Sequence, residues 1–127
     1  SNITFHGHLP QNKIAELVFN SSALVLPSFE ETAPMVISEA MALGTIVIST
    51  KVAGIPWMID DKVTGLLFTP GNYEELFQKI LFILGTDNKS VSMPKEARLK
   101  AEKLYHPSVV ADKTYNVYKN IINNSNE

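Results

Sequence analysis

The stretch LVLPSFEETAPMVISEAMALGTIVIST, residues 24–50, decides how the rest of the chain is read. Leu24, Val25 and Leu26 form a short apolar run, stopped by Pro27 and Ser28. Two acids follow, Glu30 and Glu31. Pro34 then opens a segment rich in helix formers that ends at Gly44, and Ile46, Val47 and Ile48 make a second, β-branched run. The pattern predicts strand, loop, short helix, strand. Continuous apolar runs suit strands covered on both faces, as in a parallel sheet. Pro34 stands where a first-turn proline belongs, and Gly44 where a glycine closes a helix.

In such a unit, ligands bind at the loop leaving the carboxyl end of a strand. The next helix aims free N–H groups into that crevice, which favours anions such as phosphate. Glu31 belongs to the loop. Glu39 lies in the helix, beyond its first turn. Carboxylates only accept hydrogen bonds. Two of them near an anion-favouring helix end suit a ligand that also carries hydroxyls. A phosphorylated ligand with a polyhydroxylated sugar or ribose meets both needs.

The same string resembles the signature of the group 1 glycosyltransferases, GT-B enzymes that use nucleotide-sugar donors and retain anomeric configuration. Their pattern is roughly P-S-x-x-E-x7-E-A-M-A-x-G, followed by a β-branched strand. Pro27, Ser28, Glu31, Glu39, Ala40, Met41, Ala42 and Gly44 match it, with TIVIST after them. The resemblance implies that Glu31 sits by the donor sugar as the catalytic candidate and that Glu39 binds the ribose hydroxyls. It extends the expected donor contacts to Thr32, Ala33, Pro34, Met35 and Val36. Family members often carry a glycine-rich run after the first Glu, whose amides approach the donor. Thr32, Ala33 and Pro34 stand there in this chain, and Pro34 has no N–H to give.

Further on, KVAGIPWMIDDKVTGLLFTPG (51–71) resembles the family's G-I-P-E-x-I … G-x-L-V-x-P-G-D continuation at Gly54, Ile55, Pro56, Ile59, Gly65, Leu67, Pro70 and Gly71. Gly54 and Pro56 predict a loop, Thr64-Gly65 a turn, and Leu66 to Phe68 a strand. Where the family usually has Glu, this chain has Trp57. Its indole could cover apolar surface, stack on a base or sugar, or pack. Packing is the expectation, and if the loop faces the cleft, Trp57 would set donor preference. Lys51, just past a strand end, is a cation near a phosphate site or a solvated lysine.

Ile3, Thr4 and Phe5 predict a first strand, ending at His6-Gly7-His8. The family resembles this with a strand, a glycine and a short loop near the donor, so His6 and Gly7 join Trp57 as candidate cleft-lining residues. Alternation puts His6 and His8 on one face of a strand. With no Cys and no clear third ligand, no metal site is expected. Helices are predicted over 10–20, with Ile14, Leu17 and Val18 as a scaffold face, and over 72–85, with Leu76, Ile80, Ile83 and Leu84 inward. Asn72 and Glu75 approximate a capping box for the latter. Helices over 91–105, with Met93, Ala97, Leu104 and Val91 inward, and 107–122, capped by Ser108, follow.

A chain of 127 residues is enough for one domain with one core. A net charge of −2 gives no reason to expect a nucleic-acid or anionic-membrane partner. The lack of cysteine excludes disulfides and thiolate metal sites. No apolar run approaches the roughly 18 residues of a membrane span, and no signal peptide is visible. The start without Met, at Ser1-Asn2, is expected to be a cloning scar on a truncated chain.

The expected fold is α/β, a Rossmann-like layered sheet of about four parallel strands with helices on both faces. By resemblance, residues 1–122 are a fragment of the C-terminal, nucleotide-sugar-binding domain of a GT-B glycosyltransferase, with 123–127 a disordered tail. The N-terminal acceptor domain of the same enzyme would be its missing partner. An open sheet edge or the last helix is expected to support homo-oligomers. The implied function is transfer of a sugar from a nucleotide-diphosphate sugar to a hydroxyl acceptor with retention, by a hexosyltransferase-type enzyme. The fragment would be inactive alone and need no cofactor or metal besides the donor substrate. The alternative is a non-catalytic nucleotide- or sugar-phosphate-binding α/β module. A cytoplasmic enzyme, peripheral at the inner face of the membrane when full-length, completes the expectation.

Overall fold

Every residue of IVIST, 46–50, is buried, because this segment is the middle strand of a three-stranded parallel sheet. The computed structural model describes residues 2–85 and 90–124. In chain order the elements are α1 (Gln11–Phe19), β1 (Ala23–Leu26), α2 (Met35–Leu43), β2 (Ile46–Thr50), α3 (Ile55–Met58), β3 (Leu66–Phe68), α4 (Tyr73–Leu84), α5 (Met93–Tyr105) and α6 (Pro107–Asn124). Ala23 lies opposite Ile46 and Leu26 opposite Ser49; Ile48 lies opposite Leu66 and Thr50 opposite Phe68.

Alternation along the strands divides the core in two. Val47 and Leu67 point into a cluster with Ile37, Ala40 and Met41 of α2, Ile55 and Met58 of α3, and Ala97 and Ala101 of α5. Ile46, Ile48, Leu66 and Phe68 point the other way, towards Leu76, Ile80, Phe82 and Ile83 of α4. Both faces are therefore covered, which is why the strands read as unbroken apolar runs. Small side chains at Ala40, Ala97 and Ala101 let α2 and α5 approach closely.

The α2 boundaries follow from two residues. Gly44 adopts φ +75°, donates to the Met41 carbonyl at 3.0 Å and leaves Thr45 to donate to Ala40 at 2.9 Å. A left-handed residue at a helix end satisfies the last carbonyls in this way. Pro34 occupies the N-cap, one residue before the first-turn position expected, and its carbonyl accepts the Ile37 N–H at 3.1 Å. At α4, Asn72 caps as expected, accepting the Glu75 N–H at 3.0 Å. The Glu75 carboxylate reaches past it to the Thr69 N–H at 2.8 Å, so the box is stretched.

Several expectations are corrected. Among the described residues the sheet has three strands where about four were expected, and residues 3–5 form none of them. Phe5, which a core-facing strand position would bury, is 93% exposed. Gly7, at φ +62°, turns the chain towards α1 just beyond. The loop predicted from Gly54 and Pro56 contains the single turn α3, whose Pro56 is a favourable first-turn residue. Leu84 and Val91, expected inward, are exposed. His106, not Ser108, caps α6: its ring Nδ1 accepts the Ser108 N–H at 3.4 Å, and its carbonyl accepts the Val110 N–H. Along α6, Val110, Tyr115, Val117, Tyr118 and Ile121 are all exposed. The end of α6 passes residue 123, where the tail was expected to begin, and 125–127 lie outside the described residues. No described helix is long and apolar enough to cross a membrane.

Candidate functional site

The loop between β1 and α2 is held from below by buried hydroxyls of β2. Ser49 Oγ donates to the Leu26 carbonyl at 2.9 Å, and Thr50 Oγ1 to the Ser28 carbonyl at 2.6 Å. Each ties a loop-side carbonyl to the buried middle strand. From the side, Gly54 closes on the Thr32 carbonyl. A Cβ built on Gly54 would lie 1.7 Å from that oxygen, so only glycine permits the approach. The neighbouring Ala53 takes φ +42°, a conformation unusual for a residue with a side chain.

These anchors present Glu31 at the carboxyl end of β1, half-buried, with Thr32 and Ala33 exposed after it. The first turn of α2 follows. No side chain caps it and no acid occupies it. The N–H groups of Met35 and Val36 find no acceptor among the described residues. An uncapped helix start offers donors and a partial positive charge.

One turn further, Glu39 is exposed and lines a groove of about 270 Å³ between α1 and α2. Gln11, Ile14, Ala15 and Val18 form its α1 wall, and Val36, Glu39, Ala40 and Leu43 belong to its α2 wall. Among the described residues, neither Glu31 nor Glu39 has a side-chain hydrogen bond or an ionic partner. Both carboxylates are free to accept from a ligand's hydroxyls. No lysine or arginine lines this groove.

Of the predicted donor residues, the structure brings Val36 and Glu39 into one groove. Glu31, Thr32, Ala33, Pro34 and Met35 lie on the adjoining loop and helix start. His6 lines a different hollow, of about 290 Å³, with Leu9, Lys13 and Leu17. Gly7 and His8 are exposed. Trp57 does not pack: it is 84% exposed, while Ile55 and Met58 of the same turn are buried. Lys51 faces Glu75 at 3.7 Å. The Glu75 carboxyl is held below the usual carboxylate range, chiefly by the Thr69 backbone N–H and further by Lys51 and Lys79.

Sequence reasoning missed two contributors. Residues of α1, assigned to scaffold, form a wall of the groove, and their amphipathic spacing could not say whether that face was covered. The Gly54–Thr32 approach was missed as well, although a Gly before Ile-Pro at a strand end is a signal for close backbone contact.

Comparison with known proteins bears on the family and the fold. The family described as "Glycosyl transferases group 1" matches residues 1–100. The sulfoquinovosyl transferase SQD2 of Arabidopsis thaliana is 31% identical over 102 residues, covering 78% of this chain and 20% of that protein. Among solved structures, the sucrose-phosphate synthase of Thermosynechococcus elongatus superposes with a TM-score of 0.85 at 28% identity, over 94% of this chain and 30% of that one. The Anabaena protein HepE, solved in complex with UDP, shares the fold with a TM-score of 0.79 at 23% identity, over 83% of this chain and 29% of its own. The chain thus spans about a fifth to a third of the length of these relatives. Matched by that family over residues 1–100 of its 127, this chain belongs to the group 1 glycosyltransferases.

Proposed function

We propose that this chain is the donor-binding part of a glycosyltransferase that takes a nucleoside diphosphate sugar. Glu39 accepts hydrogen bonds from the ribose hydroxyls in the α1–α2 groove. The diphosphate lies against the free N–H groups of Met35 and Val36. Glu31 stands by the transferred sugar, where a carboxylate stabilises the positive character that the anomeric carbon gains as the diphosphate leaves. The observation that carries this is the juxtaposition of an open groove containing Glu39 with an uncapped helix start. UDP and UDP-glucose complexes of the similarly folded HepE support the choice of ligand class.

In the whole enzyme the sugar passes to a hydroxyl acceptor with retention at the anomeric carbon, and no metal takes part. The acceptor side comes from an N-terminal domain, so the chain alone binds without transferring. The β1 edge or the exposed apolar side chains of α6 support self-association, which sedimentation at increasing concentration reads as a rising mass.

Calorimetric titration of the chain with UDP tests the site. Glu39→Gln is expected to weaken UDP binding about tenfold, the loss of charge-assisted bonds to hydroxyls. EDTA should leave the affinity unchanged. Equal affinity of parent and Glu39→Gln would remove Glu39 from the ribose role.

A further inference from the structure

We propose that Trp57 is a stacking platform for a pyranose ring at the carboxyl rim of the sheet, beside the Glu31 loop. The assignment rests on the donor-binding function above and adds to it a residue that reads the sugar. Trp57 is the chain's only tryptophan, and it is 84% exposed. Its exposure is not looseness. Ile55 and Met58, on either side of it in α3, are 0% and 7% exposed and fix the turn into the core.

The position of that turn is set as firmly as its orientation. Gly54 directly precedes α3 and lies against the Thr32 carbonyl, one residue from Glu31. The backbone strain at Ala53 falls in the same short connection, and strained residues concentrate where a site requires a fixed geometry. A large flat apolar ring is therefore held in solvent on a turn whose leading glycine abuts the Glu31 loop.

A pyranose suits that pair of groups. Its rim of hydroxyls donates to carboxylates, while one face of the ring presents only C–H bonds. An indole offers a wide face with negative charge density, which attracts those C–H groups and buries apolar area. A nucleobase is less suited here, because the groove containing Glu39 lies between α1 and α2, and α3 lines none of it. The ring can belong to the donor or to a sugar acceptor, and the two sources are separable.

Because Trp57 is the sole tryptophan, its emission reads this position alone. The chain is titrated with UDP, with UDP-glucose and with methyl α-glucoside. A blue shift and intensity change with UDP-glucose but not with UDP support stacking on the donor sugar. The same change with methyl α-glucoside, with or without nucleotide, supports stacking on an acceptor. By calorimetry, Trp57→Ala should reduce the affinity advantage of the sugar-bearing ligand by about five- to tenfold, with Trp57→Phe restoring part of it. As Trp57 is exposed, both variants should keep the parent's circular dichroism. If neither sugar moves the emission, or if Trp57→Ala binds both sugars as the parent does, the assignment is overturned. UDP binding with Trp57 silent to both UDP-glucose and methyl α-glucoside overturns the stacking role alone. A glucoside response without any UDP binding overturns the donor site at Glu39 and leaves the stacking role standing.

Discussion

The two walls of the groove that holds Glu39 are built differently. On the α2 side, Ile37, Ala40 and Met41 are fully buried, and the helix is closed by Gly44 in the left-handed conformation. On the α1 side no residue is fully buried, and Ile14, Leu17 and Phe19 are all exposed. The side-chain hydrogen bond to α1 from the sheet's surroundings is that of Thr45 Oγ1 to the Val18 carbonyl, at 2.9 Å. The carboxylate thus stands on a wall locked into the core, while Gln11 stands on one with little to hold it. Elements with few buried apolar contacts open at low free energy, so α1 is the wall able to adjust to a ligand.

Substitutions can break or sharpen this contrast. The largest effect is expected from Gly54→Ala, where the new Cβ would collide with the backbone oxygen of Thr32. The loop must move, and a loss of about 4 kcal/mol in urea unfolding, with a matching fall in UDP affinity, is the expected outcome. An unchanged midpoint would show that the loop is not seated as described. Next comes a matched pair, one from each of the two helices. Met41→Ala in α2 empties a fully buried site and should cost about 3 kcal/mol, while Leu17→Ala in α1 should cost about 1 kcal/mol or less. Equal costs would mean that α1 is as firmly held as α2.

The smallest effect concerns Glu75, far from either wall. Its carboxyl pKa is lowered by the Thr69 N–H and by Lys51 and Lys79. A group whose folded value lies below its unfolded value adds stability above the ordinary carboxylate range and loses it as pH falls through the lowered value. Glu75→Gln should therefore lower the thermal midpoint slightly at neutral pH, and the difference should close in acid. A difference that persists at low pH would assign the stabilisation to something other than the charge.

The fixed wall was legible in the sequence and the loose one was not. Pro34 and Gly44 bracketed α2 to within a residue, because proline and glycine act through local backbone geometry. Asn72 and Glu75 marked the start of α4 for the same reason. The β-branched run at 46–48 gave the middle strand, since burial on both faces leaves a continuous apolar signature. Ile3 to Phe5 carry similar residues but form none of the described strands, because propensity alone does not decide strand pairing. The apolar spacing of α1 was real, yet periodicity says which side of a helix is apolar and not what covers it. Trp57 was expected to pack because large aromatics usually do; what holds it outside is the burial of Ile55 and Met58 around it, a tertiary fact.

One property of the loop between β1 and α2 reaches further. Its three fastenings, at Leu26, Ser28 and Thr32, all engage main-chain oxygens. None of them depends on what Phe29, Glu30, Glu31 or Thr32 carries beyond its Cα. The segment therefore behaves as an exchangeable cassette, whose outward chemistry can be rewritten while its mounting stays intact. A loop mounted in this way can change what it presents to solvent without first relearning how to fold.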